Sequence, residues 1–210
     1  MWTLILDSAH ERGLVAIFKD QEIVFSKHLS FGLLHSKHIF PCLLEGLKTA
    51  KIEIQDLSRI AVSAGPGSYT GLRVAAIMAK AFSFVSKIPL WGYCSLEAFA
   101  PPEAAPFAAI LDARSAGIYC VKGQKTSCGD LFFNSPQKIP QSEVEKELSE
   151  IPFLISPNTR NLTSKFEGLI DSKRWLERSP CPLQILSRIG QNPHFLVPSE
   201  SGELDMLYLE

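Results

Sequence analysis

The chain has 210 residues, 46% of them hydrophobic, and a formal net charge of −1. This length allows one domain or two small ones, with enough apolar residues for a proper core. A near-neutral charge disfavours a nucleic-acid binder that acts alone, because such proteins usually carry a basic excess. If RNA is involved, we expect another chain to bind it.

The start of the chain and its cysteines indicate a cytoplasmic protein. The residues after Met1 lack the basic segment and the long apolar segment of a secretory signal. The five cysteines are odd in number and form no Cys-x-x-Cys pair, which disfavours a disulfide framework and a zinc ribbon. We therefore expect reduced, mostly buried cysteines and a cytoplasmic localisation.

The first hundred residues predict the order βββαβαβ. The tight polar connections between the first three strands favour antiparallel pairing, and the later alternation of strand and helix implies right-handed crossovers with parallel pairing. The predicted strands lie at 4–7, 13–18, 22–29, 59–64 and 89–93, and the predicted helices at 36–50 and 72–86.

A similar pattern begins again after the proline-rich stretch 101–106. A strand ending in Asp112 repeats the opening strand that ends in Asp7, and a second strand follows at 117–122. We predict two lobes, an N-terminal one over 1–100 and a smaller C-terminal one over 107–210. The remaining predictions are helices at 143–150, 159–169 and 182–189, a strand at 152–155 and an irregular tail from Asn192.

The turn before the second helix, GPGSYTG, is a candidate anion site. Glycine permits positive φ and close approach, Ser68 or Thr70 can cap the helix, and a helix N-terminus attracts anions. The glycine spacing matches neither the dinucleotide fingerprint nor a P-loop, so a purely structural turn is the alternative. The candidate phosphate- or nucleotide-facing residues are Asp7, Gly65, Gly67, Ser68, Thr70 and Gly71.

The sequence contains no recognisable catalytic or metal-binding constellation. His35 and His38 have the spacing of one helix face, but a metal site needs a third ligand that their neighbours do not supply. Ser68 and Ser115 lack the G-x-S-x-G elbow of serine hydrolases. We therefore expect no metal and no catalytic residue.

The helix over 72–86 is apolar almost all the way round. Its polar residues form a narrow stripe, and it is short for a membrane span and contains Lys80. Such a helix must be covered, either by its own domain or by a partner.

Four motifs in the expected order resemble the bacterial TsaB family, formerly called YeaZ. GPGSYTGLR (65–73) is similar to the family's glycine turn, ILDSA (5–9) to L-D-T-A/S, HSKHIFP (35–41) to H-S-x-x-L-x-P, and ILDAR (110–114) to I-D-A-R. The terminal Tyr208-Leu209 also resembles a family ending. The family commonly continues D-A-R-x-x-E-V-Y, whereas Gly117 and Ile118 precede Tyr119 here.

The resemblance implies a two-lobed α/β fold of the ASKHA type (actin-like ATPase, ribonuclease H-like), in which each lobe is a mixed sheet with helices and the second lobe is reduced. It implies a non-catalytic scaffold that binds and activates TsaD, the subunit that transfers threonylcarbamoyl to the adenosine next to the tRNA anticodon. TsaE is implied as a further ATPase, and tRNA would be reached only through the complex. The family's ATP site is degenerate, so no firmly bound cofactor is expected in the chain itself. The place that the resemblance leaves for ATP or ADP with magnesium is the shared interface of the complex.

The resemblance also implies that the helices at about 36–50 and 72–86 contact TsaD, or a second copy of the chain when TsaD is absent. Two alternatives remain open: an ATP-dependent phosphotransferase that uses Asp7 and the glycine turn, and a peptidase. The expected interface residues are His35, Ile39, Leu43, Leu72, Ala75, Ala76, Ala79, Phe82 and Ser83.

Overall fold

The computed structural model describes residues 1–32, 35–168, 170–171 and 174–189. The chain divides into two compact units, each with its own sheet. The first contains Met1–Ser95 together with residues 180–189, and the second contains Leu96–Ser179. The lobe boundaries predicted from the sequence stay a prediction. The predicted tail from Asn192 and the Tyr208-Leu209 ending lie outside the described residues.

The first unit has a five-stranded sheet in the order β3-β2-β1-β4-β5. Neighbours β1, β2 and β3 pair antiparallel, whereas β1 with β4 and β4 with β5 pair parallel. This confirms the predicted pairing and the order βββαβαβ. The strands are β1 (Trp2–Asp7), β2 (Leu14–Lys19), β3 (Glu22–His28), β4 (Arg59–Gly65) and β5 (Leu90–Cys94).

Two long helices, α1 (His35–Ala50) and α2 (Tyr69–Ser86), cover one face of this sheet. Both contribute to a single core cluster with sheet residues such as Leu4 and Ile60. Helix α2 begins three residues earlier than predicted because Ser68 caps it, its hydroxyl accepting the backbone N–H of Gly71 at 3.3 Å. Pro41 lies inside α1, beyond its first turn.

The second unit has a six-stranded sheet whose main path is β11-β10-β6-β7-β8, with β9 beside β7. The strands are β6 (Pro106–Asp112), β7 (Ile118–Lys125), β8 (Leu131–Phe133), β9 (Gln137–Ile139), β10 (Phe153–Ser156) and β11 (Trp175–Glu177). The remaining helices are α3 (Val144–Leu148), α4 (Arg160–Lys165) and, in the first unit, α5 (Pro182–Arg188).

The two sheets repeat one topology. In each, the strand that ends in an aspartate pairs antiparallel with the next strand on one side and parallel with a later strand on the other. The repeat fits the two-lobed ASKHA α/β fold that the sequence predicts. Within the residues that the structure describes, no helix is long and apolar enough to span a membrane.

Candidate functional site

The carboxylate of Asp7, at the end of β1, is completely buried. Its Oδ1 accepts the backbone N–H of Ala9 at 2.9 Å, and its Oδ2 accepts the hydroxyl of Tyr93 at 2.8 Å. Burial, and then the nearby negative charge of Asp7, raise the pKa of Tyr93 well above its ordinary value. The phenol therefore stays protonated and donates. Asp7 joins β1 to β5 and is not open to a ligand from solvent.

Two histidines complete this buried cluster. The Nε2 atom of His10 lies 3.9 Å from Oδ2 of Asp7, and burial lowers the pKa of His10 although the Asp7 charge raises it. The Nε2 atom of His35, the first residue of α1, bonds the carbonyl oxygen of His10 at 2.8 Å. A carbonyl only accepts, so this nitrogen carries the proton. His35 therefore ties the start of α1 to the connection between β1 and β2.

The glycine turn packs against the same connection. The backbone N–H of Ser68 donates to the carbonyl of Ala9 at 2.6 Å, and the hydroxyl of Ser8 donates to the carbonyl of Gly71 at 2.6 Å. A Cβ on Gly67 would overlap the carbonyl oxygen of Ala9, and one on Gly71 would overlap that of Ser8. Glycine is needed at both positions because two segments of the chain's own backbone meet there.

The two ends of the turn are also occupied by local contacts. Gly65 has a φ of +116°, the left-handed region that favours glycine, and precedes a cis proline. The carbonyl of Pro66 accepts the hydroxyl of Ser95, just after β5. At the other end Ser68 caps α2, while Thr70 is exposed.

These contacts favour the structural alternative for the turn over a phosphate-facing one. Both oxygens of Asp7 are engaged within the unit, so this carboxylate does not fit a nucleotide-bound magnesium ion. In the turn, the N–H of Ser68 and the carbonyl of Gly71 are also engaged within the unit. Across the described ranges, no group of three or more His, Cys, Asp or Glu is placed to hold a metal.

Two of the buried cysteines, Cys42 and Cys120, are poor nucleophiles. Burial raises the pKa of Cys42 to about 11 and that of Cys120 to about 12, so both thiols are protonated near neutral pH. All five cysteines are free, and three of them are buried while Cys128 and Cys181 are exposed, as the expectation of reduced, mostly buried cysteines has it.

The side chains chosen from the sequence as an interface mostly face the core. His35, Ile39, Leu43, Leu72, Ala75, Ala76, Ala79 and Ser83 are at most 5% exposed, and Phe82 is half-buried. A helix on a sheet buries the residues that recur every three or four positions, and here the small alanines face the sheet. The contact of these helices with a partner stays a prediction, but other side chains are available for it.

The outward sides of α1 and α2 form what we call the helix-pair surface, consisting of Phe40, Leu44, Ile77, Phe84 and Val85. The α1 side chains are 46% and 51% exposed, and those of α2 are 67%, 70% and 78% exposed, in that order. The two helices contact each other. Exposed apolar groups concentrated in this way are typical of protein interaction sites.

The second strand-end aspartate, Asp112, is held differently. Its Oδ1 accepts the ammonium of Lys165 at 2.8 Å and the backbone N–H of Arg114 at 2.9 Å. Lys165 also donates to the carbonyl of Gly117 at 3.0 Å and to that of Arg114, which has a φ of +58°. Lys165 thus fixes the Asp112-Ala113-Arg114 turn, a role that sequence reasoning missed.

Comparisons with known proteins agree with the motifs. A family model described as "TsaD: tRNA N6-adenosine threonylcarbamoyltransferase" matches residues 32–130. The tRNA threonylcarbamoyladenosine biosynthesis protein TsaB of Buchnera aphidicola subsp. Schizaphis graminum is 32% identical over 97 residues, which are 46% of each chain. The TsaB of Bacillus subtilis is 30% identical over 100 residues, which are 48% of this chain and 44% of that protein. The chain thus matches about half the length of these curated relatives.

Solved structures extend the likeness of the fold to the whole chain. YeaZ from Pseudomonas aeruginosa superposes with a TM-score of 0.77 at 20% identity, covering 99% of both chains. A second structure, titled as an uncharacterized protein with similarity to peptidase YEAZ from Pseudomonas aeruginosa, gives 0.77 at 21% identity, covering 100% of this chain and 99% of that one. At this identity the likeness shows the two-lobed fold alone.

Proposed function

We propose that this chain is a member of the TsaB (YeaZ) family, supported by its motifs and by the curated relatives and the family model that match about half of it. The chain takes part in making threonylcarbamoyladenosine in tRNA, in the cytoplasm. It acts as a non-catalytic subunit that binds and activates a TsaD-like threonylcarbamoyl transferase.

The observation that supports this role is the contrast between two parts of the first unit. The strand-end aspartate and the glycine turn are closed by the chain's own groups, whereas the helix-pair surface is open and apolar. A catalytic centre needs accessible polar groups, and a binding subunit needs an accessible apolar surface. The first unit has an accessible apolar surface, whereas the polar groups at its strand ends are not accessible.

The proposed contact uses the exposed sides of α1 and α2 in place of the buried side chains first chosen from the sequence. Fully burying a side chain such as Ile77 or Phe84 contributes about 1.5–3 kcal/mol. A TsaE-like ATPase, a homodimer when the chain is alone, and ATP or ADP with magnesium at the shared interface are parts of the same proposal. Transfer RNA is bound only through the complex.

The test is binding and reconstitution with the TsaD-like protein of the same cell. Ile77→Glu combined with Phe84→Glu should weaken binding at least about 100-fold, since two charges would be buried in an apolar contact. The modification of tRNA by the purified components should fall to the level seen without this chain.

Phe132→Glu is the control, because Phe132 is 62% exposed, similar to Ile77 and Phe84, but lies on β8 of the second unit. It should leave both measurements unchanged. Unaltered binding by the folded double variant would exclude the helix pair as the contact. Equal modification of tRNA with and without the chain would reject the proposed function.

The phosphotransferase and peptidase alternatives have less support. The first needs an Asp7 that solvent and substrate can reach, and Asp7 is buried and doubly hydrogen-bonded. The second needs an activated nucleophile, and the raised pKa values of Cys42 and Cys120 oppose such a role for these two thiols.

A further inference from the structure

Basic side chains share the outward sides of α1 and α2 with the apolar ones. On α1, Lys37 and Lys48 are exposed, and on α2 Arg73 is exposed and Lys80 is half-buried. Glu45 is the acidic residue of the two helices, so together they carry a formal charge of +3 while the whole chain carries −1. The helix pair is therefore a local basic region on a nearly neutral protein.

Helical spacing places these cations among the apolar side chains, not opposite them. Positions i, i+4, i+7 and i+11 lie along one side of a helix. On α1 this series is Lys37, Pro41, Leu44 and Lys48, and on α2 it is Arg73, Ile77, Lys80 and Phe84. Each helix thus presents a line of four residues that mixes cations with apolar groups. We call these two series the cation lines.

The carboxylates on α1 and just after it are bonded to groups other than these cations. Glu45 is paired with Lys27 on β3 at 2.6 Å. After α1, the carboxylate of Asp56 accepts the backbone N–H of Glu53 at 2.8 Å, and that of Glu53 accepts the amide of Gln55. In the described part of the chain, no ion pair involves a residue of the cation lines.

We propose that the cation lines select a protein partner whose contacting surface carries carboxylates, in preference to a second copy of this chain. This rests on the proposed function, whose TsaD-like subunit would be that partner. In a two-fold interface the same surface meets itself, so two surfaces with the same net positive charge would be brought together. Like charges across an interface oppose binding, whereas complementary charges speed association and fix the register.

An RNA would also match the basic charge, but the cation lines also contain the exposed apolar side chains of Leu44, Ile77 and Phe84. Nucleic-acid interfaces are more polar than protein interfaces, whereas an apolar centre with a charged border is typical of protein contacts. The surface chemistry therefore favours an acidic protein.

The two possible contacts should respond to salt in opposite directions. Charges are screened beyond about 10 Å at 0.1 M salt and beyond about 3 Å at 1 M. Added salt weakens attraction to an acidic partner and relieves repulsion between two copies. Between 50 and 500 mM NaCl, binding to the TsaD-like protein should weaken roughly tenfold, mainly through a slower association rate. Self-association should not weaken.

A charge-reversed chain tests the inference directly. Lys37→Glu, Lys48→Glu and Arg73→Glu together should weaken binding to the TsaD-like protein at least about tenfold at 50 mM NaCl, and less at 500 mM. When equal amounts of labelled wild-type and reversed chains are mixed, native mass spectrometry should find clearly more mixed dimers than the roughly one half of all dimers that random pairing gives. Lys19→Glu, Lys146→Glu and Arg160→Glu change the charge equally at exposed positions elsewhere and should have neither effect.

The outcomes separate the inference from the function on which it rests. Partner binding that is insensitive to salt and to charge reversal overturns the inference and leaves the proposed function intact. An absence of partner binding at every salt concentration overturns the proposed function. The mixing experiment needs only this chain, and a statistical distribution of dimers there contradicts the like-charge argument. Binding of tRNA by the wild-type chain alone, lost on reversal, would instead identify a nucleic-acid surface.

Discussion

A buried carboxylate costs free energy unless hydrogen bonds satisfy its charge, and Asp7 receives one bond from Ala9 and one from Tyr93. Tyr93→Phe removes one donor and leaves a lone pair unsatisfied. We expect the free energy of unfolding, measured with urea, to fall by about 1–3 kcal/mol. Tyr119→Phe is the control, because the hydroxyl of Tyr119 makes no hydrogen bond within the described residues. An equal loss in both variants would contradict this account of Asp7.

His10 predicts how stability depends on pH. Burial lowers its pKa in the folded chain below the ordinary value of 6.5, which applies to the unfolded chain. Below pH 6.5 the unfolded state binds more protons, so stability falls as pH decreases towards the folded pKa. One proton accounts for at most about 1.4 kcal/mol per pH unit.

The measurement is urea unfolding at pH 7.5 and 5.5. His10→Asn should reduce the difference between the two pH values, while His38→Asn, at an exposed position, should retain it. If the wild-type difference persists in His10→Asn, another group causes the loss of stability in acid.

At the scale of elements, Gly71 shows how the glycine turn and α2 depend on one another. Helix propensity alone predicts that Gly71→Ala stabilises the first turn of α2 by up to about 1 kcal/mol. The added Cβ would instead overlap the carbonyl oxygen of Ser8, whose own hydroxyl bonds the carbonyl of Gly71. We expect a loss of more than about 2 kcal/mol in urea unfolding.

Gly129→Ala is the control that distinguishes the effect of a steric clash from the effect of backbone strain. Gly129 has a φ of +93° but open space where a Cβ would lie, so its substitution costs only about 1–2 kcal/mol of strain. Gly71→Ala should therefore be the more damaging change. A stabilised Gly71→Ala variant would mean that the turn and the β1–β2 connection do not meet as described.

The secondary structure of the first unit was predictable, but the outward faces of its helices were not. The apolar runs and the short connections between them predicted the order βββαβαβ, and the predicted ends of the elements lie within a few residues of the observed ones. A periodic apolar stripe identifies a buried face only when the opposite face is polar. Helix α2 has Ala75, Ala76 and Ala79 on one side and Ile77 and Phe84 on the other, so its pattern did not say which side meets the sheet. The strands β8, β9 and β11 have three residues each, too few to show a period.

The candidate site was predictable in position but not in chemistry. The sequence placed Asp7 and Asp112 at strand ends, where they lie. The partners that determine their roles are distant along the chain, since Tyr93 is 86 residues from Asp7 and Lys165 is 53 residues from Asp112. The spacing of neighbouring residues in the sequence does not predict contacts over such distances.

At the scale of the whole molecule, the same sheet topology occurs twice, but the strand-end aspartate is surrounded differently in each sheet. Both sheets carry an aspartate at the end of the strand that begins the repeat, yet Asp7 is fully buried whereas the side chain of Asp112 is 30% exposed. The first unit closes its polar strand ends and leaves the helix pair open. We therefore predict that this chain alone does not bind a nucleotide at the end of β1.

Calorimetry of the isolated chain with ATP and magnesium tests this division. We expect no saturable heat at millimolar nucleotide, because Asp7 would have to lose its bonds to Ala9 and Tyr93 before meeting a magnesium ion. The TsaD-like protein, titrated under the same conditions, is the comparison. Saturable binding by this chain that disappears in Asp7→Asn would show that the cluster opens. It would also restore the phosphotransferase alternative, because an accessible Asp7 is the group which that chemistry requires.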